Sequence, residues 1–174
     1  MKHLRLFENF DQNEVFYHGT KSEFDNFKIG SDVATPTYGG TDDNGLGIFF
    51  TDNMTMAKWF AGRSKYDMDK TERYIDVPGP GRVVSAKLDI KNPWILNDQI
   101  PNAGENSDED TGQDYFQVIK KEGGADKFRA RLIKEGYDAV IVRNANTNYY
   151  EDGGYDIIVV FDPKQIKVIS KNVL

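Results

Sequence analysis

The sequence predicts an α+β domain built around a mostly antiparallel β-sheet. Short apolar runs with the pattern of strands recur along the chain, and two of them directly follow segments of helical periodicity. In residues 82–90, the apolar side chains Val84, Ala86 and Leu88 alternate with polar ones. This alternation is typical of a strand with one buried face. Frequent strands mixed with a few helices favour the α+β class.

The expected strands are bounded by glycine, proline or polar residues, which interrupt regular structure. They cover residues 15–17, 48–51, 82–90, 94–96, 138–142, 157–161 and 166–169. Helices are expected over residues 52–62, 115–122 and 125–135, and loops over residues 21–46, 97–112 and 144–154. Thr51 or Asp52 can cap the first helix, whose apolar face is expected to carry Met56, Trp59 and Phe60.

The length of 174 residues favours one domain with a substantial core. The domain is expected over residues 15–174, after an N-terminal arm at residues 1–14, because no linker-like segment divides the chain. No apolar run approaches the roughly 20 residues of a membrane span, and the charged start does not resemble a secretory signal. The expected location is therefore the cytoplasm, with no membrane partner.

The charge and the residue content disfavour several classes of function. With 22 basic and 28 acidic side chains, the net charge of −6 argues against a nucleic acid as main partner, since phosphate binding needs a basic surface. The absence of cysteine excludes disulfides, cysteine-bound metals and a thiol nucleophile. His3 and His18 are the only histidines, so a histidine-based zinc site is not expected, and no metal is predicted.

The first candidate site is the tripeptide His18-Gly19-Thr20, at the end of the first predicted strand. A histidine in such a position is commonly structural, but its ring nitrogens can also bind the hydroxyl of a ligand. Gly19 lacks a Cβ atom, and a ligand could therefore approach its backbone closely. The tripeptide alone does not decide between the structural and the ligand-binding role.

The second candidate is residues 45–51, with the sequence Gly-Leu-Gly-Ile-Phe-Phe-Thr. The glycines precede a strand and a third glycine is missing, so this segment is not the phosphate loop of a Rossmann fold. Phe49, and Phe60 from the following helix, offer aromatic faces that can stack on a cationic ring. Helical spacing favours a place in the core for at least one of Phe60 and its neighbour Trp59.

The third candidate is a carboxylate at the start of a late strand, where Asp156 precedes the apolar residues 157–161. Side chains alternate between the two faces of a strand. If the predicted strand is shifted by one residue, Ile157 takes the position assigned to Asp156, and no carboxylate stands there. Glu151 and Asp152, in the preceding loop, are the alternative acids. Acidic residues in a loop are commonly no more than a solvated surface.

Taken together and in this order, the three segments resemble the ADP-ribosyltransferase superfamily, in its His-Tyr-Glu branch of PARP-like and diphtheria-toxin-like enzymes. Phe49 stands where that branch has tyrosine, and Asp156 where it has glutamate, or aspartate in some members. The closing residues 161–167 are similar to those of bacterial and phage members. The resemblance covers residues 15–169 and implies a split antiparallel sheet with flanking helices.

The resemblance also implies a substrate and a reaction. NAD would be consumed, nicotinamide released and ADP-ribose transferred to a macromolecular acceptor, here expected to be a protein side chain. His18 would bind the adenosine ribose, and the backbone of Gly19 the nicotinamide carboxamide. The implied NAD-binding residues are His18, Gly19, Thr20, Phe49 and Phe60, and the implied catalytic residues are Asp156 and His18.

Two other functions are consistent with the sequence. Phe49 in place of tyrosine, and the lack of a clear glutamate, would also suit an inactive NAD- or ADP-ribose-binding module or a pure interaction domain. An NAD glycohydrolase would differ from a transferase only in using water as the acceptor. Free ADP-ribose without any labelled macromolecule would indicate the glycohydrolase.

Overall fold

The structure, a computed structural model, describes residues 13–21, 24–29, 45–67, 73–79, 81–97, 118–145 and 155–171. Its strands are β1 (Phe16–Thr20), β2 (Ile48–Thr51), β3 (Ser64–Asp67), β4 (Arg73–Asp76), β5 (Arg82–Leu88), β6 (Pro93–Asn97), β7 (Ala139–Ala145), β8 (Tyr155–Val160) and β9 (Ile166–Ser170). Its helices are α1 (Met54–Phe60), α2 (Ala125–Lys134) and a 3-10 helix (Pro163–Gln165). Residues 118–121 are also helical.

Seven strands form one sheet in the order β6-β7-β8-β2-β1-β5-β9, while β3 and β4 pair as a separate hairpin. Neighbouring strands of the large sheet are antiparallel, except for β6 and β7, which are parallel. Parallel strands need a long crossover connection, and α2 lies in the connection between these two. The prediction of an α+β domain with a mostly antiparallel sheet is confirmed.

Several predicted boundaries differ from the structure. The N-cap of α1 is Asn53, not Thr51 or Asp52, because the Asn53 side chain accepts the N–H of Met56 at 3.1 Å. Strand β7 continues to Ala145, although the sequence predicts a loop from residue 144. The β3–β4 hairpin has no counterpart among the predicted strands. The predicted arm, and most of the predicted loops at residues 21–46, 97–112 and 144–154, lie outside the described residues.

The large sheet buries apolar side chains on both faces. We call the side covered by α1 and α2 the helix face; its buried side chains include Leu46, Met56, Phe128, Leu132, Val140 and Val159. The other side, which we call the opposite face, buries Phe16, Ile48, Phe50, Leu88, Ile141 and Ile158. Side chains alternate between faces along each strand. A residue's place in a strand therefore fixes the face on which its side chain acts.

Helix α1 lies very close to the end of β1, and two glycines permit this approach. A Cβ atom at Gly19 would overlap the carbonyl oxygen of Ala57, and one at Gly81 would overlap that of Ala61. The buried side chains of α1 and its C-cap that meet the sheet here are the small Ala57 and Ala61. The first candidate site and the helix that follows the second are therefore in direct contact.

Asp138, directly before β7, forms hydrogen bonds with two other connections of the sheet. Its carboxylate accepts the backbone N–H groups of Lys91 and Asn92, at 2.7 and 2.9 Å. Its carbonyl oxygen accepts the side-chain amide of Gln165 at 3.1 Å. Hydrogen bonds to a charged group are among the stronger ones in proteins. These bonds link the start of β7 to the connection between β5 and β6 and to the 3-10 helix before β9.

We expect Gly19→Ala and Gly81→Ala each to lower the free energy of unfolding by about 2 kcal/mol or more, because the added methyl group meets backbone atoms and forces the packing apart. Urea denaturation, followed by circular dichroism, measures this loss. Ile133→Ala is the control, since the side chain of Ile133 is 51 % exposed and its removal should change stability little. A Gly19→Ala protein as stable as the wild type would show that α1 does not lie so close to β1.

Candidate active site

The sheet opens between β1 and β2. Strand β1 pairs with β5 along five residues, but it pairs with β2 through a single register pair, Tyr17 with Thr51. Strand β2 in turn pairs with β8 along all four of its residues. Each strand is therefore held by its outer neighbour, and the two separate from each other beyond that one pair. We call this space the β1–β2 opening.

One side-chain hydrogen bond crosses the β1–β2 opening. The Nδ1 atom of His18 lies 2.7 Å from the carbonyl oxygen of Phe49. Because a carbonyl can only accept, Nδ1 carries the proton, and the neutral ring then presents Nε2 as a hydrogen-bond acceptor. An acceptor nitrogen beside an opening in a sheet is suited to binding a hydroxyl group.

The direction of the Phe49 carbonyl also fixes the direction of the neighbouring backbone groups. In an antiparallel ladder, alternate residues direct both their N–H and their C=O to the same neighbouring strand. Phe49 and Thr51 therefore both direct these groups towards β1, and Tyr17, opposite Thr51, directs its own towards β2. Gly19, two residues further, consequently directs its N–H and C=O into the opening. These two groups form a donor–acceptor pair suited to a carboxamide.

Aromatic rings surround the imidazole of His18. The ring centroids of Phe24, Phe27 and Phe50 lie 5.9, 5.2 and 5.6 Å from that of His18. Desolvation by these neighbours lowers the pKa of His18 below its ordinary value, and the bond to the Phe49 carbonyl offsets this only in part. The histidine is therefore held neutral, as the hydrogen bonding of the opening requires.

The two candidate aromatic residues have different surroundings. Phe49 is half-buried against the helix-face side chains. Phe60, at the end of α1, is 47 % exposed, and its ring lies 5.0 Å from that of Trp59, which is 39 % exposed. The prediction that both Trp59 and Phe60 lie on the buried side of α1 with Met56 is wrong. The reason is the close contact with Gly19, which turns the small residue Ala57 towards the sheet and the large rings outward.

Asp156, near the start of β8, has an arginine as its partner. Its carboxylate forms an ion pair with the guanidinium of Arg143 on the neighbouring strand β7, and its side chain is only 14 % exposed. Its backbone N–H is accepted by the carboxylate of Asp52 at 2.9 Å. The sequence pattern points to neither interaction, because both partners are distant along the chain. Asp52 is predicted only as a possible helix cap.

Alternation along β8 places Asp156 on the opposite face, with Ile158, and Ile157 on the helix face with Phe49. His18 lies on the opposite face as well, since it alternates with Tyr17 and Gly19, which meet α1. From the strand spacing and the residue rise, His18 and Asp156 are about 12 Å apart. The structure therefore brings His18 and Asp156 to one face, and Phe49, Gly19 and α1 to the other.

The remaining candidates are Thr20, Glu151 and Asp152. Thr20 ends β1, opposite Arg82 on β5, and is half-buried. Glu151 and Asp152 lie outside the described residues. Within the described ranges, no three or more acidic or histidine side chains come together in a way that could hold a metal ion. No helix in those ranges has the length and apolar character needed to span a membrane.

We expect the stability of the protein to fall below about pH 6.5 in a way that depends on His18. Since the folded state lowers the pKa of His18 from 6.5, the unfolded chain takes up the proton first as the pH falls. The contribution of the neutral His18 ring to the free energy of unfolding is therefore complete above pH 6.5 and is lost as the pH falls below it. His18→Asn, whose amide can still donate to Phe49, removes this titration.

The measurement is the free energy of unfolding at about pH 7 and at about pH 5, for the wild type and for His18→Asn. The wild type should lose more stability between the two than the variant does. The carboxylates titrate in both proteins, and their contribution cancels in the comparison. An equal loss in the two proteins would contradict a neutral, desolvated His18.

Comparison with known families identifies the chain. The family described as ADP-ribosyltransferase in polyvalent proteins matches residues 12–174, and this range contains β1, β2, α1 and β8. Curated proteins and solved structures gave no match. Membership of this family implies, at the family level, NAD-dependent transfer of ADP-ribose. With the match extending over nearly its whole length, the chain belongs to the ADP-ribosyltransferase family of polyvalent proteins.

Proposed function

We propose that this protein transfers ADP-ribose from NAD to a protein side chain, with release of nicotinamide. The observation that carries the proposal is the β1–β2 opening, in a member of an ADP-ribosyltransferase family. At this opening the backbone groups of Gly19 and the Nε2 atom of a neutral His18 are placed for a carboxamide and a hydroxyl. NAD carries both groups, the first on nicotinamide and the second on its riboses.

We assign the protein to the His-Tyr-Glu branch, with Phe49 in place of the tyrosine and Asp156 in place of the glutamate. The single register pair between β1 and β2 supports a split sheet of the kind expected for that branch. The family match from residue 12 supports a domain over residues 15–174, with the preceding residues as an arm. Thr20, next to Gly19 at the end of β1, would complete the NAD-binding segment.

The aromatic residues would hold the nicotinamide ring. Phe49 lies on the helix face, and the exposed Phe60 leaves a face of its ring open to a ligand. Helix α1, which ends at Phe60, packs directly on Gly19 through Ala57. An aromatic face attracts a cation, and the nicotinamide ring of NAD is cationic. Because the cationic ring is already a good leaving group, the site needs no strong acid to expel it.

The carboxylate of Asp156 would act on the ribose that loses nicotinamide. Breaking the glycosidic bond develops positive charge on the sugar, as in glycoside hydrolysis. A carboxylate bonded to the neighbouring hydroxyl stabilises this charge and orients the sugar. The location of Asp156 and His18 on one face supports a ligand that bridges them. Binding energy gained at His18 could then be used at the reacting bond.

A second candidate function is favoured by the surroundings of Asp156. Its carboxylate is already paired with Arg143, and the residue that shares the helix face with Phe49 is Ile157, which has no charge. A site with its charge neutralised could bind NAD or ADP-ribose without cleaving it. In that case the protein would be a binding module on the fold of an enzyme.

The first test incubates the purified protein with labelled NAD and a bacterial lysate, and follows labelled macromolecules and free nicotinamide together. Asp156→Ala should lower both signals by about 100-fold or more, as the loss of a group that stabilises transition-state charge does. His18→Ala should also lower both signals, because it removes a contact to the ribose. Asp89→Asn is the matched control, because Asp89 is exposed and its carboxylate lies 3.7 Å from the exposed Lys91, away from the proposed site.

The outcomes separate the alternatives. Label on a macromolecule that depends on His18 and Asp156 supports the transferase. Nicotinamide released without such label indicates an NAD glycohydrolase. A melting temperature raised by NAD, with neither product, indicates the binding module. Full activity of Asp156→Ala would contradict the role given to that carboxylate.

We expect Phe60→Ala to weaken NAD binding by about 3- to 10-fold, which corresponds to the loss of one aromatic contact. The free energy of unfolding should change little, since the ring is 47 % exposed. Isothermal titration calorimetry gives the affinity, and urea denaturation gives the stability. Ile133→Ala, which removes an exposed side chain of α2, should leave both unchanged. Unaltered affinity of Phe60→Ala would exclude Phe60 from the NAD site.

A further inference from the structure

Asp52 occupies the junction of the three elements that make up the proposed site. It directly follows Thr51, the residue at which β2 meets both Tyr17 on β1 and Ile157 on β8. It also directly precedes Asn53, the N-cap of α1. Its Oδ1 atom accepts the N–H of Asp156 at 2.9 Å. The carboxylate of Asp52 is therefore held at the backbone of Asp156, close enough for the two side-chain charges to interact.

The two carboxylates have different surroundings. Asp156 has the guanidinium of Arg143 as its counter-charge and is mostly buried. Asp52 lies at the surface, and its Oδ1 atom accepts the N–H of Asp156 at 2.9 Å and the hydroxyl of Thr51 at 3.5 Å. Partial burial raises the pKa of Asp52 above its ordinary value, and the nearby charge of Asp156 adds to this. A carboxylate with a raised pKa is the better proton acceptor.

Two neighbouring carboxylates with different environments are a common basis for a division of labour in glycosyl transfer. One stabilises the charge on the sugar, while the other accepts the proton of the incoming nucleophile. Arg143 and the low exposure suit Asp156 to the first task. The exposed position of Asp52 suits it to the second task, because the acceptor must enter from solvent.

We propose that Asp52 is a catalytic residue of this site and accepts the proton of the acceptor side chain during ADP-ribose transfer. The inference rests on the proposed function and narrows its acceptor class. The nucleophilic atom must carry a proton, as in a hydroxyl, a guanidinium or an amide. An acceptor carboxylate, which has no proton to lose, would not need Asp52.

The step is balanced without any further reactant. The acceptor oxygen or nitrogen forms a bond to C1′ of the ribose, while the bond from C1′ to the nicotinamide nitrogen breaks and its electron pair stays with nicotinamide. The acceptor proton passes to the carboxylate of Asp52 and is then released to water. Asp156 stays ionised beside Arg143 throughout.

The test compares Asp52→Asn with the wild type in two reactions with labelled NAD. One uses the lysate as the source of acceptor and the other uses sodium azide, an anion that attacks C1′ without losing a proton. Asparagine keeps an oxygen that can accept the N–H of Asp156, so the geometry around that residue is preserved. Asp156→Asn is the comparison variant and Asp89→Asn the control.

We expect Asp52→Asn to lose about 100-fold or more of its label transfer to macromolecules, the usual contribution of a general base. It should form ADP-ribosyl azide and release nicotinamide at the wild-type rate when azide is present. Asp156→Asn should lose both reactions, since azide cannot replace the charge that stabilises the ribose. This separation between acceptors would not arise from a structural role of Asp52.

Any result other than these contradicts the proposed role of Asp52. Transfer to macromolecules unchanged in Asp52→Asn would show that no proton acceptor is needed there. Loss of the azide reaction as well would show that Asp52 acts on the ribose or on the position of Asp156. If the wild type released no nicotinamide with either acceptor, the proposed function itself would fail, and the role of Asp52 with it.

Discussion

The hydrogen bond from His18 to the carbonyl oxygen of Phe49 links β1 to β2 where the two strands no longer pair. Beyond the pair of Tyr17 and Thr51, β1 and β2 no longer exchange register partners in the described strands. Buried backbone groups need partners, and the imidazole supplies one for Phe49 across the β1–β2 opening. The same bond sets the tautomer of the ring. Structure and ligand recognition thus depend on one contact.

The residues of the proposed site lie on both faces of the sheet. On the helix face, α1 packs Ala57 on Gly19, and Phe49 lies against the buried side chains of that face. On the opposite face, His18 and Asp156 stand on strands separated by β2. A dinucleotide that used all of these residues would have to pass through the β1–β2 opening. That requirement explains why a break in the sheet, which otherwise costs hydrogen bonds, can be of use to this fold.

The sequence predicted those parts of the structure that depend on local pattern. The apolar run at residues 48–51 and the alternation in residues 82–90 gave strands at those positions, and the order of the segments indicated the family. The orientation of α1 could not be obtained in this way. The helical spacing of apolar residues placed Trp59 and Phe60 on the apolar face with Met56, whereas the close approach to Gly19 selects Ala57.

Contacts between residues that are far apart along the chain could not be predicted from the sequence either. The ion pair of Asp156 with Arg143 joins β8 to β7, and the bond of Asp52 to the Asp156 backbone joins β8 to the residue that follows β2. Their existence depends on the register of β7, β8 and β2, which no local pattern specifies. The β3–β4 hairpin is similar, because its residues 64–67 and 73–76 are too polar to show an apolar strand pattern.

The close packing of α1 on Gly19 and Gly81 restricts which positions of this site can be substituted during evolution. No larger residue can replace either glycine without moving the helix, and Ala57 and Ala61 are constrained from the other side. Trp59 and Phe60 point outward and can be exchanged without disturbing that contact. New ligand preferences would therefore arise by variation at the exposed end of the helix, while its inner side stays fixed. A library directed at the outer positions alone would sample altered specificity at little cost in folding.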